Sequence, residues 1–476
     1  MAGTEKVYDS VIVGGGPAGM MAAISLAELG FSVIIAEQNK LLGRKLRITG
    51  KGRCNITNTC DLRGLTDNLV SGDRFMLSSL KRFSNTDLIK YLNEGGLETV
   101  TERGGRVFPA SGRAYDVAEF FVRRLKELKV PVLYGLSARK LRIDNGRVFG
   151  VDGLLNGKPY SLNGRSVVLA TGGITYRLTG SDGSGYLMAR DAGHSVAYPL
   201  PSLIGLQCRE KALCASLQGL TIKNTGIRLY EANKCIFEDF GELMFTDAGV
   251  TGPIVLSLSR FYIERAVNIA SGRAAPAAAR RAVSRRAATS DSAELRRYIS
   301  FDPAIYDRLN ADARFRIELD LKPALDDETL FARLARDLEK YHAKQAANAL
   351  KDLLPAALTA PVAELSGIDP HAQVAQLKTA ERRALVNTLK HFTLTPLGPD
   401  NPDHGIVTQG GISLDELEPG TLSSKRCRGL FLAGEILDVD GLTGGYNLTV
   451  AFSTGHAAGR GAAAFLAAEA GQALEI

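Results

Sequence analysis

The first 37 residues restrict the chain most. An apolar, β-branched run, Val7–Val13, ends in Gly14-Gly15-Gly16-Pro17-Ala18-Gly19. A small-residue stretch, Met20–Leu29, follows with helical character, and then a second apolar run, Phe31–Ala36, closed by Glu37. Strand, glycine turn, helix and strand in this order make one βαβ unit. The spacing gives each glycine a task. Gly14 permits the tight turn, Gly16 lets the backbone approach a diphosphate, and Gly19 lets the helix pack on the sheet. The helix N-terminus supplies free N–H groups and positive potential for the anion. Glu37, at the end of the second strand, is placed to accept hydrogen bonds from an adenosine ribose. A dinucleotide site is expected here, with contacts from Gly14, Gly16, Ala18, Gly19, Glu37 and its neighbour Gln38.

The far end of the chain points to which dinucleotide. Leu430–Glu435 (LFLAGE) repeats the pattern of apolar strand, glycine and carboxylate, and Gly441–Asn447 (GLTGGYN) opens an Ala-rich helix expected over Thr449–Ala470. Glu435 can hydrogen-bond a ribityl chain, and the positive end of that helix can face a flavin ring. Both ends acting on one ligand imply FAD in an extended pose, with further contacts at Gly434, Gly445, Asn447 and Leu448. A buried-type strand, Ser166–Ala170, runs into Thr171-Gly172-Gly173, adding Ala170, Thr171 and Gly172. A hairpin over Ala138–Leu154, turning at Asn145-Gly146, adds Ala138. There is no second GxGxxG.

The segment between the two ends reads differently. Residues 203–245 alternate short apolar and polar stretches, such as Gly226–Tyr230 and Cys235–Phe237, as antiparallel strands do. Asp326 or Asp327 can cap a helix carrying Leu330, Leu334, Leu338 and Tyr341 on one face, and more helix is expected over Ala346–Leu354 and Ala372–Leu389. The expected fold is α/β: a discontinuous Rossmann-like, two-dinucleotide-binding-type FAD domain (1–200 and 395–476) around a β-rich portion (201–262 and 315–322), an Ala/Arg-rich insertion (263–314) and a helical subdomain (323–394).

Composition excludes more than it selects. Hydrophobic residues at 45% and charged residues at 23% are those of an ordinary folded protein. The formal charge of +7 owes +5 to Ser271–Ser290, which holds five Arg and no acidic residue. The basicity is therefore local, so a nucleic-acid partner is not expected and the tract reads as a surface insertion. No apolar window is long enough to span a membrane. Glu5, Lys6 and Asp9 interrupt any signal-peptide core, and six Cys at irregular spacing make no disulfide framework. A reducing cytoplasm is the expected compartment. No metal-ligand spacing is present.

The run Gly43–Asn58, GRKLRITGKGRCNITN, resembles the signature after the first βαβ unit in the BaiN-like family, which includes bacterial NAD(P)/FAD-dependent oxidoreductases and aminoacetone-oxidase-type enzymes. ATGG at Ala170–Gly173, TGSDGSG at Thr179–Gly185, GELMFTDAGVTGP at Gly241–Pro253 and GEILDVDGLTGGYN at Gly434–Asn447 also match, leaving 262–315 poorly matched. The resemblance implies a flavin-dependent oxidoreductase acting on a small molecule. It adds Arg44, Lys45, Cys54 and Asn55 to the cofactor contacts, the basic pair by charge-assisted bonds to phosphate or ribityl oxygens. Some members carry His where this chain has Asp247, so a proton-transfer role for that His does not carry over.

Within the resemblance, two activities stand side by side: NAD(P)H-dependent reduction of a conjugated C=C bond in a ketosteroid or bile-acid-like enone, and O2-dependent oxidation of an amine with release of peroxide. The reductase, fed by NADH or NADPH, is the expectation, with Tyr446 the candidate proton donor or substrate-orienting residue. A Cys54/Cys60 redox pair is the less favoured reading, because five residues separate them where flavin-linked disulfide reductases have four. An RNA-binding flavoprotein using Arg280, Arg281, Arg285 and Arg286 is the alternative of another class. It lacks interleaved aromatics for base stacking.

Overall fold

In the computed structural model, residues 6–270, 288–289, 292–302, 314–472 and 474 are described. The Ala/Arg tract with Arg280, Arg281, Arg285 and Arg286 lies outside them, apart from a two-residue strand, Ala288–Thr289. Two compact units emerge. One takes the chain up to Pro201, the described part of 277–301, and everything from Ile406 onward; the other takes the described parts of 202–276 and 302–405.

The first unit is built on a seven-stranded sheet. Val7–Val13 lies between Val33–Glu37 and the long strand Lys158–Leu169, parallel to both. Val132–Tyr134 extends the parallel part beyond Val33–Glu37. The first half of Lys158–Leu169 instead pairs antiparallel with Arg147–Leu155, which pairs with Leu136–Asp144 across the Asn145-Gly146 turn. Both turn residues have positive φ, 46° and 73°, the type I′ geometry of a two-residue hairpin. Ser10–Val13 and the whole of Val33–Glu37 are buried on both faces, as central parallel strands are.

One register decides where the ends of the chain meet. Val167, Val168 and Leu169 pair with Val11, Ile12 and Val13 on one side and with Leu430, Phe431 and Leu432 on the other. The sequence-distant strand 430–432 thus delivers Gly434 and Glu435 beside the first glycine turn. The C-terminal helix, Tyr446–Glu469, then packs along the first helix, Pro17–Glu28. Gly459 brings them close: a Cβ there would stand 2.6 Å from the Ala22 carbonyl oxygen.

The second unit is an antiparallel sheet whose long central hairpin is Thr221–Glu231 with Lys234–Phe245. Phe315–Asp320 and Phe392–Leu394 extend it on one side, and Gly249–Thr251, Leu206–Cys208 and Pro396–Pro399 on the other. Its helices include Asp327–Lys340, capped by the Asp326 carboxylate accepting from the Thr329 N–H at 2.7 Å, with Leu330, Leu334 and Leu338 buried. The helix expected over Ala372–Leu389 is instead a short 3-10 turn, Val374–Gln376, followed by Thr379–Lys390. Pro253–Ala270, which begins in the stretch expected to be β-rich and runs on into the expected insertion, is an 18-residue helix. Its apolar run has no strict period-2 alternation, and length arbitrates for helix.

Candidate functional site

The glycine turn carries its expected geometry. Gly14 has φ 103°, and a Cβ on it would lie 2.9 Å from the Ala170 carbonyl carbon. A Cβ on Gly19 would overlap the Gly14 carbonyl oxygen. Gly16 is the opposite case: a Cβ there meets nothing within 4 Å. The turn is thus packed shut behind Gly14 and Gly19 and open in front of Gly16, the N-cap of the helix. Helical bonding starts at the Met20 N–H, which donates to the Gly16 carbonyl at 2.9 Å, so the N–H groups of Ala18 and Gly19 face the opening without intrahelical acceptors. This is a cradle for a diphosphate, and the residues present fit FAD.

Glu37 is almost fully buried. Its Oε2 accepts from the Gly15 N–H at 2.7 Å, and its Oε1 from the Asn39 backbone and side-chain nitrogens at 2.8 and 2.7 Å. The carboxylate therefore holds the glycine turn itself, with acceptor capacity left at Oε2. Gln38 donates to the Gly180 carbonyl at 2.7 Å, tying the second strand to the loop after Ala170–Gly173. Ala138 is buried on its strand, and its neighbour Ser137 donates to Gln38 at 3.4 Å.

At the other end of the chain, a Cβ on Gly434 would lie 2.7 Å from the Ala18 Cβ, and one on Gly173 would lie 3.1 Å from Glu435 Oε1. Glu435 therefore stands between the first turn of helix 17–28 and the Ala170–Gly173 segment. Its carboxylate receives Lys45 Nζ on both oxygens at 2.9 Å and the Thr408 N–H at 2.7 Å. Lys45 also donates to Thr175 Oγ1 at 2.9 Å. Lys45 and Glu435, expected as separate cofactor contacts, are thus each other's partners. Arg44 is exposed and donates to Asn39 Oδ1 at 2.6 Å.

The Arg53–Asn58 loop grips the start of the C-terminal helix. With its amide oriented to satisfy its neighbours, nitrogen toward the acceptors, Asn55 donates to the Thr57 carbonyl at 3.0 Å and its oxygen accepts from the Gly445 N–H at 3.1 Å. Asn58 donates to the Gly444 carbonyl at 3.3 Å, and Thr57 and Thr449 share a hydroxyl bond at 2.6 Å. Gly445 (φ 98°) must be glycine, since a Cβ would lie 2.5 Å from the Thr57 carbonyl. Asn447 turns inward: its side chain brackets Gly441, accepting from the N–H at 2.9 Å and donating to the carbonyl at 2.8 Å. Leu448, half-buried, sits on the first helical turn. Tyr446 is buried with its ring against Gly444. Burial, and then the nearby Cys60, push its phenol above the usual tyrosine value.

This organisation matches the family described as the HI0933-like protein Rossmann domain, over residues 8–461. The chain belongs to the HI0933-like family. It is an FAD-dependent oxidoreductase. Among curated relatives, the 3-dehydro-bile acid delta(4,6)-reductase of Clostridium scindens is 29% identical over 95% of this chain and 98% of its own. The ribosomal RNA dihydrouridine synthase of Escherichia coli is 26% identical over 94% and 96%. A solved 3-ketosteroid-delta4-(5alpha)-dehydrogenase from Rhodococcus jostii superposes with TM-score 0.46 at 16% identity, covering 97% of this chain and 98% of that one.

In this HI0933-like chain Cys54 is a packing residue: it is fully buried, with a thiol pushed up to about 12 by that burial, and Cys60 is free. Thr57, Asn58, Thr175, Thr408 and Asn39 were not singled out from the sequence. Thr57 and Asn58 stood inside the GRKLRITGKGRCNITN run and were legible there; Thr408, a lone Thr on the strand Val407–Ile412, carried no signal. Among the described residues, no helix is long and apolar enough to cross a membrane, and no cluster of His, Cys, Asp and Glu could hold a metal ion.

Proposed function

We propose that the protein adds two hydrogens across a C=C bond conjugated with a carbonyl, drawing its electrons from NADH or NADPH. FAD held in that cradle would supply the hydride-transfer chemistry between reduced nicotinamide and carbon. Every other requirement falls on the chain. The Gly14–Gly19 turn and the N–H groups of Ala18 and Gly19 bind the diphosphate. The N-terminus of Tyr446–Glu469, fixed by Asn55 and Asn58, offers positive potential to an electron-rich ring. Reduction of an enone also needs a proton at the α-carbon, and the Tyr446 Oη–H is the group assigned to give it. The observation that carries this reading is the placement of Tyr446: a buried phenol raised above its ordinary value, at the mouth of a long helix whose preceding Gly444 and Gly445 are bonded to Asn58 and Asn55. The Clostridium scindens relative, a reductase of a delta(4,6) bile acid by its name, supports the same bond type.

A second substrate for that chemistry is a uracil ring in RNA, whose C5=C6 bond is also conjugated with a carbonyl. A specific feature favours it. Lys51, Arg103 and Arg106 are exposed on the first unit beside the Arg53–Asn58 loop. Arg53 and Arg106 cover the buried Phe108 (4.4 and 5.9 Å), and Arg113 lies over the exposed Tyr115 (6.0 Å), while Arg53 pairs with Glu102 and Arg113 with Asp116. This basic, aromatic-bearing face differs from the Ala/Arg tract considered from the sequence. The test is anaerobic: bleach the flavin with NADH or NADPH, then follow its reoxidation by a 3-oxo-Δ4 steroid or by uridine-containing RNA. Reoxidation by the steroid supports the first reading and by RNA the second. Bleaching by aminoacetone but by neither nicotinamide overturns both in favour of an amine oxidase.

A further inference from the structure

The FAD cradle contains a negative charge in an awkward place. Gly434 against Ala18 sets Glu435 next to the helix N-terminus that is open to a diphosphate, and Glu435 Oε1 lies 3.1 Å from where a Cβ on Gly173 would be. A carboxylate there opposes an incoming dianion by like-charge repulsion. Three hydrogen bonds already end on it: two from Lys45 Nζ at 2.9 Å, one to each oxygen, and one from the Thr408 N–H at 2.7 Å. Lys45 is itself fixed by Thr175 Oγ1 at 2.9 Å. Both side chains are about one-fifth exposed, 21% each. This pair sits in the wall of the site, where screening by water is reduced.

We infer that Lys45 is a positioning residue that makes the cradle habitable for FAD by neutralising Glu435, rather than by binding the phosphates itself. The short helix Arg44–Ile48 holds Lys45 close to the glycine turn, since the Gly43 N–H donates to the Gly15 carbonyl at 2.9 Å. With Thr175 Oγ1 and both Glu435 oxygens on its ammonium, the three N–H donors of Lys45 are all engaged. The inference rests on the FAD reading and goes beyond it, because it has the second substitution rescue the first. Removing the cation alone leaves a largely covered carboxylate at the edge of the cradle with only the Thr408 N–H opposite it. Removing both charges restores neutrality.

The experiment is a double-substitution cycle on FAD affinity, measured by titrating FAD into flavin-stripped protein and following flavin fluorescence. Lys45→Met is expected to weaken FAD binding by about 100-fold, and Glu435→Gln by about tenfold or less. The pair Lys45→Met/Glu435→Gln is expected to bind FAD at least tenfold more tightly than Lys45→Met alone, and Lys45→Arg to remain close to wild type. A double variant as weak as Lys45→Met, or weaker, overturns the inference and makes Lys45 a direct phosphate ligand. If Lys45→Met does not fold, the same rescue is read in the melting temperature of the double variant, and its failure to fold as well overturns the inference. Absence of FAD binding by the wild-type chain would sink the FAD reading instead, so the two failures are distinguishable.

Discussion

Gly16→Val should separate cofactor binding from folding. Gly16 has φ −77° and ψ −177°, a conformation that any residue adopts, and a Cβ on it touches nothing within 4 Å. The apoprotein therefore has no steric reason to resist the side chain. The isopropyl group fills the opening where a diphosphate must approach the Ala18 and Gly19 N–H groups. FAD at about 100 times its Kd stabilises the native state by about 2.7 kcal/mol. Each kcal/mol moves the Tm of a domain of this size class by about 2–4 °C. The wild type is thus expected to gain on the order of 5–10 °C from FAD. Gly16→Val should gain nothing, while its apo Tm stays within about 2 °C of wild type. Gly19→Ala is the contrast: its Cβ overlaps the Gly14 carbonyl, so overpacking of about 1–3 kcal/mol should lower the Tm of the apoprotein itself. Differential scanning of flavin-stripped protein with and without FAD reads both. A Gly16→Val protein that copurifies with stoichiometric FAD, or whose apo form melts as low as Gly19→Ala, would refute the reasoning.

Other consequences can be checked separately. Tyr446→Phe should slow flavin reoxidation by enone roughly 10²–10⁴-fold while leaving reduction by nicotinamide nearly unchanged in stopped flow; equal loss in both half-reactions would point to damage at the cofactor instead. Because burial raises the Tyr446 phenol, the enone half-reaction should show no loss between pH 7 and 9 from its ionisation. With the Cys54 thiol at about 12, two-electron reduction at neutral pH should give no thiolate–flavin charge-transfer band, and its appearance would reinstate the Cys54/Cys60 pair. His456, stacked on Phe83 at 4.6 Å, is held down to about 4 by burial, so the unfolded chain takes up its proton first as pH falls. Stability should drop by up to roughly 3 kcal/mol as pH falls from about 6.5 to about 4. Urea unfolding at pH 7.5 and 5 should show a smaller drop in His456→Phe, and an unchanged one would remove His456 from the account.

How much could be read in advance depended on how far apart the interacting residues lie. The first βαβ unit was legible because its turn, helix and strands are determined by neighbours within 37 residues, where glycine spacing and apolar runs act locally. The Asn145-Gly146 hairpin and the Asp326 cap were legible for the same reason. That the far end returns to the glycine turn was readable from the LFLAGE and GLTGGYN motifs, since a carboxylate and a helix start carry their chemistry wherever the chain puts them. Their mutual arrangement was not. Lys45 and Glu435 lie 390 positions apart, and no spacing rule states that one neutralises the other. Asn447, expected as a cofactor contact, has its amide bracketing Gly441, a direction no spacing announces, because at a helix start it is set by the turn the side chain closes. Thr408 reached Glu435 only through the strand that carries it. Residue types announced the chemistry; the register of Val167–Leu169, paired with 11–13 on one side and 430–432 on the other, decided which groups face each other, since parallel pairing joins segments that have no local contact.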